Sequence, residues 1–256
     1  MILVMDVGNT NVKLGVYDGD RLAHTWRVSS NITRTADEYG IDIINLFKSV
    51  DVDPSFVEGV IMSSVAPSLN YTLEHMCKYY FKSKKLLMVG PGLKTGLNIK
   101  YTNPSEVGAD RIVNAVAAYN LYGGPTIYVD FGTATTFGVV SQTGEFLGGA
   151  IAPGIKSSME SLINNTAKLP RIELTKPKNA INKTTVTNMQ AGLIYGFTGL
   201  VANIIKQMKK ELGLEDVTVV ATGGLSELVD KEETGITHID RTLTLKGLKM
   251  IYDMNN

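Results

Sequence analysis

Cysteine occurs once in this chain, at Cys77, so no intrachain disulfide can form. Histidine is nearly as scarce: His24, His75 and His238 stand far apart, and with no Cys/His cluster the ligand spacing of a zinc site is missing. Apolar runs are short, and none approaches the about 20 residues that cross a bilayer. Neither charge is in excess. Lys and Arg number 25 and Asp and Glu 25, a formal net charge of +0, which removes the electrostatic case for nucleic acid or an anionic membrane as the main partner. The one basic cluster, Lys82, Lys84 and Lys85, is short and reads as a solvated turn before a strand at Leu86. Neither a Walker G-x-x-x-x-G-K-[ST] nor a Rossmann G-x-G-x-x-G after the first strand occurs, so two common nucleotide loops are excluded.

What is present is ordinary for a globular protein. The 256 residues are 44% hydrophobic and 20% charged, enough for one large or two modest domains with a real core. The opening run Met1 to Met5 is apolar but cut at Asp6 and lacks a basic lead, so it is too short for a secretion signal, and the cytoplasm is the expected compartment. Trp26, the only tryptophan, falls on an alternating strand and is expected to pack in a core or interface. Cys77, beside Met76 and Tyr80, reads as a small buried hydrophobe, and the isolated histidines as packing or surface residues.

Periodicity orders the chain into strands and helices. Strands are expected over 2–7, 13–17 and 22–28, a helix over 35–49 with Tyr39, Ile41, Ile44 and Phe47 on one face, then a strand over 57–63, a helix over 67–80 and a strand over 86–89. Residues 90–106 read as loop, followed by a helix over 105–122 that Gly123-Gly124-Pro125 ends. The opening pattern then returns, with strands over 126–131, 137–140 and 146–151. Asp6-Val7-Gly8-Asn9-Thr10 and Asp130-Phe131-Gly132-Thr133-Ala134 each open a hairpin, and a Gly-Val follows on each returning strand, one residue sooner in the second copy. This looks like a domain duplication built on β-β-β-α. A helix over 186–211, a strand over 217–221 and a last amphipathic helix over 243–254 complete the set. Gly192, Gly196 and Gly199 weaken the first of these helices, so a close approach by another backbone or helix is expected there, dimer packing being one version.

Each hairpin carries a carboxylate at the end of a buried strand, which is costly unless paired or bound to a cation. After Asp6, Gly8 lets backbone approach a ligand, and Asn9, Thr10 and Asn11 add polar groups; this suits a phosphate cradle with Asp6 facing Mg²⁺, or a turn in which Asp6 bonds local amides. The second hairpin brings Asp130 and the hydroxyls of Thr133, Thr135 and Thr136. Two such hairpins facing one another would hold a triphosphate and its cations, which is what phosphoryl transfer needs. Ala221-Thr222-Gly223-Gly224-Leu225 follows a strand, where a glycine pair lets a base or ribose lie against backbone. Gly108-Ala109-Asp110-Arg111 opens a helix. There Asp110 is either favoured by the macrodipole or placed to accept a proton from a substrate hydroxyl, and Arg111 suits a carboxylate ligand.

Together these residues resemble the type III pantothenate kinase family from Met1 to about Met250. The resemblance is carried by D-V-G-N-T-N at Asp6, N-P-S-E-V-G-A-D-R at Asn103 to Arg111, D-F-G-T-A-T at Asp130, G-G-A-I-A-P-G at Gly148 to Gly154, A-K-L-P at Ala167 to Pro170 and A-T-G-G-L at Ala221. It implies an α/β, duplicated ribonuclease-H-like fold of the acetate and sugar kinase/Hsp70/actin superfamily, with an interdomain nucleotide cleft. The halves would be 1–115, with the first hairpin and the substrate motif, and 116–256, with the second hairpin and the adenosine motif. ATP with Mg²⁺ and pantothenate are the implied substrates and a homodimer the implied assembly, with no nucleic acid or membrane partner. It gives Asp6, Val7, Gly8, Asn9, Thr10, Asn11, Val12, Lys13 and Thr133 to ATP, with Asp6 serving the Mg-nucleotide. Asp110 becomes the proton acceptor. Tyr101, Gly108, Ala109, Asp110 and Arg111 surround pantothenate, and Thr185 (or its neighbour Thr184) reaches it across the dimer. Asp130 would hold a monovalent cation, K⁺ or NH₄⁺. Lys13 lies where family members vary, and its side chain is expected to be an exposed strand lysine. Two other readings stand beside this one: a regulator that keeps the fold without catalysis, and a sugar or acyl-acid kinase of the same superfamily.

Overall fold

A computed structural model describes residues 1–81 and 85–256; of the basic cluster read at Lys82, Lys84 and Lys85, the first two lie outside the described residues. The chain divides into two compact units. One comprises Met1–Gly96, Asn103–Ala117 and Thr244–Asn256, the other Leu97–Thr102 and Ala118–Leu243.

In the first unit, β1 (Ile2–Val7), β2 (Asn11–Asp18) and β3 (Arg21–Ser29) form an antiparallel meander. Helix α1 (Ala36–Lys48) starts at a capping box. Thr35 accepts from the Glu38 amide, Glu38 bonds back to Thr35, and these bonds hold the Glu38 carboxyl below its ordinary range. Its buried face carries Tyr39, Gly40, Ile43 and Phe47, whereas Ile41, expected inside, is 54% exposed. The cause is Gly40, against which the Tyr80 ring lies so closely that no Cβ would fit, turning the helix onto that side. Next come β4 (Gly59–Ser64), α2 (Pro67–Met76), which passes into a π turn at Cys77–Phe81, and β5 (Lys85–Met88). β4 runs parallel to β1 and β5 parallel to β4, giving the order β3-β2-β1-β4-β5. Between the sheet and α1/α2 lie Leu3, Met5, Leu14, Tyr39, Phe47, Met62 and Leu73, all fully buried and each contributing about 1.5–3 kcal/mol of hydrophobic stabilisation. Trp26 packs on this core with its ring 5.3 Å from Phe47. Burial, helped by Glu74, pushes the Cys77 thiol up to about 12, so it stays a neutral hydrophobe.

The stretch read as loop contains a short strand, β6 (Asn98–Ile99), and a 3₁₀ turn at Pro104–Glu106. Helix α3 (Ala109–Tyr122) begins four residues later than the sequence suggests, because Asn103 caps the 3₁₀ turn and Val107 is extended.

The second unit repeats the meander with β7 (Thr126–Phe131), β8 (Ala134–Val140) and β9 (Glu145–Pro153). Two helices follow, α4 (Ile155–Asn164), which the sequence reading left out, and the 28-residue α5 (Thr185–Leu212). Then come β10 (Thr218–Thr222), the one-turn α6 (Lys231–Thr234) and β11 (His238–Ile239). The sheet order is β11-β10-β7-β8-β9-β6. Without the edge strand β6 this is the order of the first sheet, with the same parallel and antiparallel senses. The duplication read from the two hairpins is therefore a duplication of topology. Ile127, Val129, Phe137, Val201 and Val219 fill the core between this sheet and α5.

The last helix, α7 (Leu243–Met254), belongs with the first unit rather than the second half drawn at 116–256. Gly247 lies flush on the backbone of Val113, Thr244 Oγ1 donates to buried Asn114 at 2.8 Å, and the Tyr252 ring covers Gly59. Gly192, Gly196 and Gly199 are exposed, and a Cβ at any of them meets nothing within 4 Å among the described residues. The close approach expected there is not made among the described residues. Among the described residues no helix is long and apolar enough to cross a membrane.

Candidate active site

The first hairpin is fixed from below. β1 is buried from Leu3 onward, which carries Asp6 into the sheet at 7% exposure. Register then decides its neighbours. Asp6 faces Ser63 on β4 and Lys13 on β2. Ser63 Oγ donates to Asp6 Oδ1 at 3.0 Å, and Lys13 Nζ lies 3.1 Å from Oδ2. Lys13 is thus not the exposed strand lysine expected. Its side chain is 26% exposed because the cross-strand pairing turns it toward Asp6. At the tip, the Gly8 amide donates to Asn11 O at 3.0 Å, while Ser30 donates its amide to Thr10 O and its hydroxyl to Gly8 O. Tip carbonyls tied back in this way favour N–H groups as what the turn offers an anion. Asn9 and Thr10 are exposed, whereas Val7 and Val12 are fully buried and can meet a ligand only through backbone.

The same unit holds the start of α3. Asn103 Oδ1 accepts from Ser105, and Asn103 Nδ2 donates to Glu106, which locks N-P-S-E into a closed turn. Asp110 Oδ1 accepts from the Arg111 amide at 2.8 Å. Gly108 makes this possible, since a Cβ there would stand 2.6 Å from Asp110 Oδ1. Arg111 is 5% exposed, and Ala109 and Asp110 are half-buried.

The second hairpin copies the first with different side chains. Asp130, 9% exposed, faces Thr222 on β10 and Thr136 on β8. The buried Thr222 Oγ1 has no hydrogen-bond partner among the described residues, and Thr135 Oγ1, on the core side of β8, has none either. At the tip, Gly132 N donates to Ala134 O at 3.0 Å, and Ser157 Oγ donates to Thr133 O at 2.8 Å. Gly154 lies against the Gly132 and Thr133 carbonyls, where no side chain would fit. Ser157 thus does for the second tip what Ser30 does for the first. Thr133 itself is exposed. The glycine pair of A-T-G-G-L divides its work. Gly223, at φ +93°, packs on Phe131 O and the Asp130 carboxylate, and only Gly224 is exposed.

Three other residues can be placed. Tyr101 stacks on Phe146 with ring centroids 6.4 Å apart, over Gly148. Thr184 is the N-cap of α5, its hydroxyl accepting from the Thr187 amide, while Thr185 is exposed at the first turn. The histidines do ring packing: His24 on Trp26, His75 between Tyr71 and Tyr79, and His238 on Tyr122.

Among the described residues no three His, Cys, Asp or Glu side chains gather as a metal site. A cation at Asp6 or Asp130 would draw its remaining ligands from hydroxyls, carbonyls, water and phosphate oxygens, a donor set that suits Mg²⁺ and alkali ions. The orphaned, buried Thr222 hydroxyl beside Asp130 fits such a cation. Ser63, Thr222, Ser30 and Ser157 were missed from sequence. For Ser63, Thr222 and Ser30 the available signal was a hydroxyl residue near or just past the end of a strand, which is common; Ser157 lies on α4 and offered none.

A protein-family model described as type III pantothenate kinase matches residues 2–207. Among solved structures, the chain is similar to a Campylobacter jejuni protein described as a candidate Baf family transcriptional activator, with 20% identity and TM-score 0.61, over 99% of this chain and 98% of that one. It is also similar to an inorganic polyphosphate/ATP-glucomannokinase from Arthrobacter sp. strain KM, with 11% identity, TM-score 0.53 and coverage of 100% and 99%. The ethanolamine utilization protein EutJ from Carboxydothermus hydrogenoformans matches at 12% identity, TM-score 0.54 and coverage of 97% and 89%. At these identities the likeness shows the fold, the duplicated ribonuclease-H-like fold of sugar kinases and actin/Hsp70-like ATPases.

Proposed function

The chain belongs to the type III pantothenate kinase family, and from that premise we propose that it transfers the γ-phosphoryl group of ATP to the primary hydroxyl of pantothenate. The product is 4′-phosphopantothenate, in the first step of coenzyme A synthesis. The observation that supports this most is local. One compact unit carries both a strand-end aspartate in a phosphate-cradling hairpin and a helix start whose aspartate is held by a backbone amide and a glycine.

In this reading Asp6 to Lys13 and Thr133 handle ATP. The hairpin tip meets phosphate oxygens with backbone N–H groups, and Asp6 faces the nucleotide's Mg²⁺. Bound Mg²⁺ supplies neutralisation of charge on the phosphates. Tyr101, Gly108, Ala109 and Arg111 seat pantothenate, the guanidinium taking its carboxylate. Asp110 accepts the hydroxyl proton as that oxygen attacks the γ-phosphorus; the new O–P bond forms while the bond to the β-phosphate oxygen breaks, and ADP leaves with the electron pair. Such a base contributes about 10²–10⁴-fold. Asp130 with Thr222 holds K⁺ or NH₄⁺. Two copies assemble through a face that includes the open glycines of α5, and Thr185 reaches the partner's substrate.

A substrate panel tests it: ADP release with pantothenate, sugars and acyl acids, run in K⁺ and then in Na⁺. Turnover is expected with pantothenate and to depend on K⁺; no turnover with pantothenate overturns the reading. Asp110→Ala is expected to lose about 10²–10⁴ in kcat while still binding nucleotide, and full activity would remove Asp110 from its role.

A further inference from the structure

Each hairpin tip is held by a serine that lies outside it. In the first unit Ser30 follows β3, donating its hydroxyl to Gly8 O at 2.6 Å and its amide to Thr10 O at 3.0 Å. Ser30 is itself braced from the core. The phenol of fully buried Tyr39 on α1 accepts the Asn31 amide at 2.8 Å and donates to Ser29 O at 3.2 Å, gripping the chain on both sides of the serine. In the second unit the serine comes from a helix. Ser157, in the first turn of α4, donates its hydroxyl to Thr133 O at 2.8 Å. Its brace is Ile155, buried in the core of that unit, together with Gly154, which lets the helix start lie close on the Gly132 and Thr133 carbonyls. A strand end and a helix start thus deliver the same group to the same kind of atom.

A trans peptide is rigid, and its C=O and N–H point in opposite directions. Fixing Gly8 O therefore fixes the direction of the Asn9 N–H, and fixing Thr133 O fixes that of the Ala134 N–H. We propose that Ser30 and Ser157 are positioning residues for phosphate: each locks one tip peptide with its carbonyl turned to the serine and its N–H toward the nucleotide. This rests on the assignment of the two tips to ATP. A carbonyl oxygen swung toward a phosphate would repel it. A tip free to turn that peptide would have to be reordered each time a nucleotide binds, and a tip already locked avoids that cost. Neither serine touches ATP in this reading; each acts through the peptide it holds.

The test is calorimetric titration of the full chain with MgATP and with adenosine, beside thermal unfolding and steady-state turnover. The proteins are wild type, Ser30→Ala, Ser157→Ala, Ser30→Thr and Ser157→Thr. Both serines are half-buried, so water can bond the released carbonyls, and each alanine variant should melt no more than about 2–4 °C lower. Affinity for ATP should fall about 10-fold in each. The KM for ATP should rise while that for pantothenate holds, and adenosine, which has no phosphate, should bind as before. The threonine variants keep the hydroxyl and should recover ATP binding. Wild-type ATP affinity in an alanine variant, or no recovery by threonine, overturns the role of that serine. Equal losses for ATP and adenosine would mark a merely structural tie and overturn it too. A wild type that binds ATP without phosphorylating pantothenate removes the substrate assignment alone, and the serines are still judged by ATP binding. A wild type that binds no ATP overturns the nucleotide assignment and this proposal with it.

Discussion

Replacing Gly223 by alanine should cost the second unit both stability and its grip on Asp130. Two separable terms act at this position. The backbone sits at φ +93°, a region that charges an L side chain about 1–3 kcal/mol. A Cβ there would also stand 2.5 Å from Phe131 O and 2.7 Å from Asp130 Oδ1, well inside contact distance. The carbonyl belongs to a central, fully buried strand and cannot move away, so the strain falls on the turn and on the carboxylate. Overpacking of this kind costs about 1–3 kcal/mol. The sum is about 2–6 kcal/mol, and at about 2–4 °C per kcal/mol for a chain of this size the melting temperature should fall by at least about 4 °C. Gly235→Ala isolates the first term: it caps α6 at φ +72° with nothing within 4 Å, so it should cost only about 1–2 kcal/mol. Differential scanning fluorimetry of both variants, with and without KCl, measures the difference. Equal losses would refute the overlap argument, and an intact K⁺ response in Gly223→Ala would show that Asp130 is not held by this glycine.

Gly108→Ala should behave in the opposite sense: its Cβ overlaps only the flexible end of Asp110, at 2.6 Å, and makes an ordinary contact with Val65 at 3.6 Å, so melting should shift by less than about 4 °C while kcat falls and the affinity for nucleotide is kept. A proportional loss of stability and activity would argue against it. Gly196→Ala on α5 should raise the stability of the isolated chain by about 0.5–1 kcal/mol, because its site is open and alanine favours helix. If a second copy covers that face, the same substitution should raise the dimer dissociation constant in sedimentation; an unchanged constant would take this face out of the assembly.

What the sequence disclosed and what it withheld divide along a physical line. Local signals were legible. The helix read over 35–49 is α1 to within a residue at each end, the Leu243–Met254 helix was placed at its observed bounds, and the repeated Asp-x-Gly hairpins announced two copies of one meander. Elements whose limits depend on partners were not. α4 has few core anchors of its own, with Ile155 its one buried residue, and β6 is two residues long and exists only because β9 offers an edge. The inward turn of Gly40 required Tyr80, forty residues away in the chain. α7 joined the first unit because Gly247 fits the backbone of Val113, a complementarity that no periodicity reports.

The site follows the same division, and Lys13 shows why. Read alone, β2 tells only that alternate residues share a face; what Lys13 meets depends on how β2 pairs with β1. Counting along the chain misleads here. The turn between Asp6 and Lys13 is one residue longer than the turn between Asp130 and Thr136, so aligning the copies from their aspartates sets Lys13 against Phe137. The ladder sets it against Thr136, which faces Asp130 as Lys13 faces Asp6. Two hairpins that look interchangeable as motifs are therefore chemically unequal as structures. The inequality resides in register, and register is fixed by which face each sheet must bury.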